Sequence, residues 1–351
     1  MADKILQKDI EYIAEHNDWS AFYSSSILIT GATGLIGHQL VFLMLYLNEK
    51  KNANIRIYAL IRNLQKAKTL FENANIFFVI NDIKQTFDID DNIDYIIHGA
   101  SITQSSLFLV NPVETIDTAY IGTKNILEFA RLKQVKSVVY LSSMEVFGIT
   151  DTKLKEVAED DYGYIDILSP RSSYSESKRL CECLCASYFT EFGIPVKIAR
   201  LTQTLGAGID YLDTRVAAYF ARCVIENKDI VLRTEGKMKR PCIYTRDAIT
   251  GILTTLLKGN SGQAYNIANK STFCSIRETA EMIAVKISKN KIKVMFEISN
   301  PTEYVQNLNL DLNLNTDKME SLGWKPEVNL EETYRRTIES MKIKKKSSYE
   351  Y

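Results

Sequence analysis

Tyr174 and Lys178 stand four residues apart in the run Tyr174-Ser175-Glu176-Ser177-Lys178, a spacing that puts both side chains on one face of a helix. An ammonium beside a phenol favours the phenolate and lowers its pKa toward working pH, as a general base for an alcohol requires. Upstream, residues 138 to 148 read Val-Val-Tyr-Leu-Ser-Ser-Met-Glu-Val-Phe-Gly. Alternate residues of a strand point the same way, so Glu145 is expected to face the same reactant as Ser143. Each residue also has a plainer reading: Ser143 as a strand-end hydroxyl bonded to backbone, Glu145 as a salt-bridged acid.

The segment Thr30-Gly31-Ala32-Thr33-Gly34-Leu35-Ile36-Gly37 lies between a short apolar run and a helical one, the context in which a glycine-rich loop becomes a dinucleotide site. Gly31 permits the tight turn, Gly34 lets backbone approach a pyrophosphate, and Gly37 allows helix to pack on strand. The second strand ends in Leu60-Ile61-Arg62-Asn63 without an acidic residue. A carboxylate there would repel a 2′-phosphate, whereas Arg62 attracts one, so NADP is expected ahead of NAD. An Arg stacked on adenine with NAD bound is the alternative.

The three-residue glycine spacing, Ser143 and the Tyr174/Lys178 pair, in this order, resemble an extended short-chain dehydrogenase/reductase of the nucleotide-sugar epimerase and dehydratase group. The resemblance implies that Ser143, Tyr174 and Lys178 are catalytic, and that Glu145 removes a C5 proton, as in dehydratases. It implies cofactor contacts from Gly31, Thr33, Gly34, Leu35, Ile36, Gly37, Arg62, Asp82, Ile83, Ala100, Ser101, Tyr174 and Lys178. Substrate contacts are implied for Ser143, Gln203, Arg215 and Arg240, since a guanidinium fork suits a diphosphate or a sugar carboxylate. Three positions depart from the group's pattern: Ala119 replaces a relay Asn, Gln203 replaces a substrate-contacting Asn, and Met144 replaces the Asp acid of dTDP-glucose dehydratases. The reaction implied is C4 oxidation followed by 4,6-dehydration of a nucleotide sugar. Decarboxylation of a UDP-glucuronate type substrate and 4-epimerisation are the alternatives, and a non-catalytic dinucleotide-binding regulator is the competing class. A homodimer is implied too, through helices 113–133 and 172–192, with Ile126, Leu184 and Tyr188 on the exposed face.

These residues need strands and helices in alternation to hold them. Apolar periodicity predicts strands over 26–30, 55–61, 76–80, 93–98, 137–142 and 196–200, with helices over 35–47, 113–133 and 172–192. That order implies an α/β, Rossmann-type doubly wound parallel sheet. Beyond Arg200 the pattern changes to helices over 214–227, 246–257 and 276–287 with short strands over 230–232, 265–267 and 292–296, a smaller C-terminal α/β substrate lobe. The expected organisation is a helical extension over 1–25, a dinucleotide-binding domain over 26–200 to which later segments return, a substrate lobe over 201–342, and a solvated basic tail over 343–351.

Composition narrows the partners. The 351 residues carry 43 basic and 43 acidic side chains, so no basic field invites nucleic acid. The most apolar run, 35–47, is about half the roughly 20 residues of a spanning helix, and no membrane is expected. Neither is a secretory leader, which points to the cytoplasm. Three His and six Cys meet no metal-ligand spacing, so Cys181, Cys183 and Cys185 are expected as reduced, buried small hydrophobes and no metal is expected.

Overall fold

Strand β1 (Ser26–Thr30) is buried along its whole length, as a strand covered on both faces must be. It occupies the middle of a seven-stranded parallel sheet with β2 (Arg56–Ile61), β3 (Phe77–Ile80), β4 (Tyr95–His98), β5 (Ser137–Ser143), β6 (Val196–Leu201) and β11 (Ala264–Ile267). The spatial order is β11-β6-β5-β4-β1-β2-β3, so the direction of winding reverses between β1 and β4 and leaves a crevice at their carboxyl ends. This is the doubly wound fold expected from the sequence. The computed structural model describes residues 3–72, 74–298 and 311–347.

Helices α1 (Lys4–Glu15), α2 (Leu35–Lys51) and α8 (Thr245–Lys258) cover one face, where Leu6, Ile10, Ile13, Trp19 and Phe22 share a core with Leu40, Met44 and Ile252. Helices α5 (Pro112–Lys133) and α6 (Ser172–Phe192) lie side by side over the other face. The expectation that Ile126, Leu184 and Tyr188 face solvent is corrected. Ile126 and Tyr188 are buried against the sheet and Leu184 is half-buried, while Val113, Ile116, Leu132, Leu180, Phe189 and Phe192 are the exposed large apolar side chains of these helices. Helical period alone marks an apolar stripe; which stripe meets the sheet depends on how the helices are rolled. Cys181 and Cys185 are buried as expected, but Cys183 is exposed.

The smaller lobe is built from β7 (Gln203–Leu205), α7 (Val216–Glu226), β8 (Ile230–Leu232), β9 (Lys239–Arg240), β10 (Cys242–Tyr244), β12 (Cys274–Ser275), α9 (Ile276–Met282) and β13 (Val294–Phe296). Strands β7 and β10 pair in parallel, with Cys242 opposite Gln203 and Tyr244 opposite Leu205. Segments α8 and β11 return to the large sheet, where Tyr265 pairs with Ala199. Short helices α3 (Leu64–Leu70) and α4 (Ser105–Val110) were not predicted, being too short for a clear period. After α10 (Asp317–Ser321), the last helix, α11, runs Leu330–Ser347. Of the solvated tail expected over 343–351, residues 343–347 continue the helix, where the Lys344 ammonium bonds the Gly208 carbonyl, and 348–351 lie outside the described residues.

The N-terminal helix is a clamp. Asp3 caps it by accepting from the Ile5 and Leu6 amides, as N-cap carboxylates do, and also accepts from Ser340 on α11. Asp9, fully buried, accepts from the Tyr244 hydroxyl and from Arg336 Nη1, the latter at 2.7 Å. One helix thus ties the end of β10 to α11.

Candidate active site

The crevice at the carboxyl ends of β1, β4 and β5 opens into a cleft of about 2350 Å³. Gly31, Thr33, Gly34, Leu35, Ile36 and Gly37 line one end. Gly31 has φ 68°, and a Cβ there would lie 2.9 Å from the Gly99 carbonyl oxygen; one on Gly37 would lie 2.2 Å from the Gly31 oxygen. Helix α2 begins at Gly34 with no side-chain cap, so its first amides face the cleft with their positive dipole end unspent. Thr30 Oγ1 accepts from the Gly99 and Ala100 amides at 3.1 and 3.0 Å, fixing the loop that brings Ala100 and Ser101 to the cleft. These residues fit a dinucleotide pyrophosphate.

Arg62 lies exposed on the cleft rim after β2, with no hydrogen-bond partner for its guanidinium among the described residues. Ile83 lines the cleft, while Asp82 Oδ1 accepts from the Lys84 amide at 2.9 Å.

Ser143 ends β5, and Tyr174 and Lys178 come from the first two turns of α6; all three line the cleft. Phe108 on α4 stacks on the Tyr174 ring, centroids 4.4 Å apart and planes 7° from parallel, which sets the ring's plane. Burial raises the Tyr174 phenol above its ordinary value, the Glu145 charge adds to this, and the hydrogen bond with Ser143 opposes it. Burial likewise pushes Lys178 down to about 8. Its Nζ donates to the Leu141 carbonyl at 2.7 Å and lies 5.8 Å from the Tyr174 ring centroid. Against the expectation that the ammonium lowers the phenol, burial is the largest influence on both groups, raising the one and lowering the other.

Glu145 is not on a strand. β5 stops at Ser143 and a tight 3-10 turn, residues 144–147, follows, with the Glu145 amide donating to Ser143 Oγ at 3.2 Å. From that turn the carboxylate still enters the cleft, where it accepts from Arg171 Nη2 at 2.7 Å and Ser175 Oγ at 3.0 Å. Burial would raise its pKa, but Arg171, Arg240 and Ser175 together outweigh burial and hold the carboxyl below its ordinary value. Arg171, which the sequence reading passed over, immediately precedes α6. Its signal was its place three residues before Tyr174, on the same helix start.

Arg240 lines the cleft, and its buried Nε has no hydrogen-bond partner. Arg215 also lines it, but its fork is taken by Asp213, with Nε to Oδ1 at 3.0 Å and Nη2 to Oδ2 at 2.8 Å. Gln203 is exposed in the cleft wall. Ala119 is buried, and its carbonyl accepts from Cys181 Sγ at 3.3 Å. The arrangement places Ser143, Glu145, Tyr174, Lys178 and Arg240 in one cleft with the dinucleotide cradle. Among the described residues no cluster of three metal-ligating side chains occurs, and no helix is long and apolar enough to cross a membrane.

The chain is also similar to known proteins. The sequence model of the NAD dependent epimerase/dehydratase family matches residues 27–268. UDP-glucuronic acid decarboxylase 6 of Arabidopsis thaliana is 27% identical over 315 residues, covering 89% of this chain and 88% of the relative. The dTDP-D-glucose 4,6-dehydratase of Mus musculus is 25% identical over 333 residues, covering 90% and 88%. Among solved structures, dTDP-glucose 4,6-dehydratase of Bacillus anthracis in complex with NAD superposes with a TM-score of 0.71 at 21% identity, covering 93% of this chain and 98% of that one.

Proposed function

This chain belongs to the NAD-dependent epimerase/dehydratase family, and on that footing we propose that it is a nucleotide-sugar 4,6-dehydratase. The observation that carries the reading is the Glu145 carboxylate, held ionised by Arg171 and Ser175 beside Ser143 and Tyr174. A bound nicotinamide would accept hydride from C4 and return it to C6, and in its oxidised form would place a positive charge in the cleft near the phenol. Tyr174 takes the C4 hydroxyl proton, Ser143 bonds the oxygen, and Lys178 stabilises the phenolate. Glu145 removes the C5 proton made acidic by the 4-ketone. The same proton passes to the departing C6 hydroxyl, which leaves as water because Met144 has none to offer, and the proton released from the C4 hydroxyl through Tyr174 balances reprotonation of C5 once hydride reaches C6. The complete set of acid–base groups, in a family of enzymes, argues against a regulator that only binds the dinucleotide.

Arg240 favours a second reading. A buried guanidinium nitrogen without a partner costs free energy unless a ligand supplies an acceptor, and a sugar carboxylate would do so, as would a diphosphate oxygen. On a uronic acid the same C4 oxidation drives loss of the C5 carboxylate as carbon dioxide. The similarity to UDP-glucuronic acid decarboxylases supports this as the runner-up; simple 4-epimerisation uses neither Glu145 nor Arg171.

Arg62 supports NADP as the preferred cofactor. The exposed Val113, Ile116, Leu180, Phe189 and Phe192 on α5 and α6 support a homodimer. Incubation with UDP-, dTDP-, CDP- and GDP-hexoses and UDP-glucuronate, followed by mass spectrometry, tests the reaction. Loss of water is expected. Loss of carbon dioxide, or an isomer of unchanged mass, replaces it with decarboxylation or epimerisation.

A further inference from the structure

Lys178 is buried, 3% exposed, and its ammonium has three protons to place. One goes to the Leu141 carbonyl. No side-chain acceptor for its other two protons is found among the described residues. What the ammonium meets instead is an aromatic face: Nζ lies 4.7 Å from the centroid of the Tyr140 ring. A cation within about 6 Å of a ring centroid is attracted by the ring's quadrupole, the more so when water is excluded.

The Tyr140 ring is itself held. It projects from the middle of β5, is buried, and has the His98 ring at 5.6 Å with planes 40° apart. His98 is pinned at both nitrogens, Nδ1 to Thr30 Oγ1 at 2.8 Å and Nε2 to Thr123 Oγ1 at 3.1 Å. Burial keeps the imidazole neutral, its pKa depressed to about 3, so no second cation competes for the ring. The other titratable groups facing Lys178 are Tyr174, Cys181, Glu182 and Cys185, all on α6. Of these, the Glu182 carboxylate is already paired with Arg200 at 2.6 Å.

We propose that Tyr140 is the positioning residue for Lys178: the face of its ring, and not its hydroxyl, holds the ammonium in place behind Tyr174. This deepens the proposed reaction only in that it rests on Tyr174 and Lys178 as its acid–base pair.

The test reads Lys178 directly, without turnover, so its outcome is separate from whichever sugar reaction the enzyme performs. In lysine-labelled full-length protein, the Cε resonance that disappears in Lys178→Arg is followed by NMR against pH. Removing the ring should favour the neutral amine and lower the midpoint. Tyr140→Phe should leave it unchanged, and Tyr140→Leu should lower it by about one pH unit. A series of progressively fluorinated phenylalanines at 140, which drain the ring face while keeping its shape, should lower it stepwise, and serves where Tyr140→Leu does not fold. The matching kcat profile of the active sugar should lose activity at its alkaline side, where the amine with the lowered midpoint is neutral and the phenolate loses its cation. A midpoint that stays fixed through the fluorinated series, or that falls as far in Tyr140→Phe as in Tyr140→Leu, overturns the proposal.

Discussion

Arg171 Nη2 lies 2.7 Å from the Glu145 carboxylate, and the two come from different elements, the start of α6 and the turn after β5. The guanidinium also lies over the Phe108 ring that stacks on Tyr174, 4.9 Å from its centroid. Arg171 therefore links the position of the carboxylate to the plane of the phenol, and it keeps the carboxylate ionised in a site where burial works against ionisation.

Arg171→Gln should lower kcat about 10- to 100-fold, the loss of one charge-assisted hydrogen bond of roughly 1.5–3 kcal/mol. The sign of its pH effect follows from Glu145: without the guanidinium its carboxyl pKa rises, so the acid limb of the kcat profile moves to higher pH. A profile lowered uniformly, with its acid limb in place, would assign Arg171 to substrate binding alone.

Glu145→Gln removes the base and leaves the amide's shape. Turnover to the dehydrated product should fall by about 10²- to 10⁴-fold, while C4 oxidation survives and is visible as reduced-nicotinamide absorbance in a single-turnover experiment. Full dehydratase activity in this variant would defeat the assigned role.

Arg62→Asp should reverse the cofactor preference, because it exchanges an attractive for a repulsive charge at the 2′ position. A change of about tenfold or more in the ratio of the two dissociation constants is expected, measured by calorimetry with NAD and NADP. An unchanged ratio would mean that Arg62 points elsewhere.

Asp9→Ala leaves the buried Tyr244 hydroxyl without its acceptor and takes from Arg336 one of its two carboxylate partners. Breaking this pair should cost about 2–3 kcal/mol, less than a fully buried ion pair because Arg336 is partly exposed and retains Glu332. Thermal unfolding should show the loss as a lower Tm.

Leu180→Glu places a charge on the exposed apolar face of α6. The parent should sediment as a dimer at micromolar concentration and the variant as a monomer; a monomeric parent would remove the dimer.

What the sequence determined by itself was whatever is encoded within a few residues or in strict order along the chain. The glycine loop, the Tyr174/Lys178 spacing and the strand carrying Ser143 belong to this class, and so does the alternation that yields the parallel sheet, since backbone conformation and burial period are local properties. Tertiary structure alone decided the pairings: Glu145 with Arg171, 26 residues apart, Tyr140 with Lys178 across a strand–helix contact, and Asp9 with Arg336, 327 residues apart. It also decided which apolar stripe of α5 and α6 faces solvent, and it raised the phenol that spacing alone suggested would be lowered. The physical reason is common to all of these. Packing sets which side chains meet and how much water is removed from between them, and desolvation and partner charges, rather than residue type, then decide ionisation.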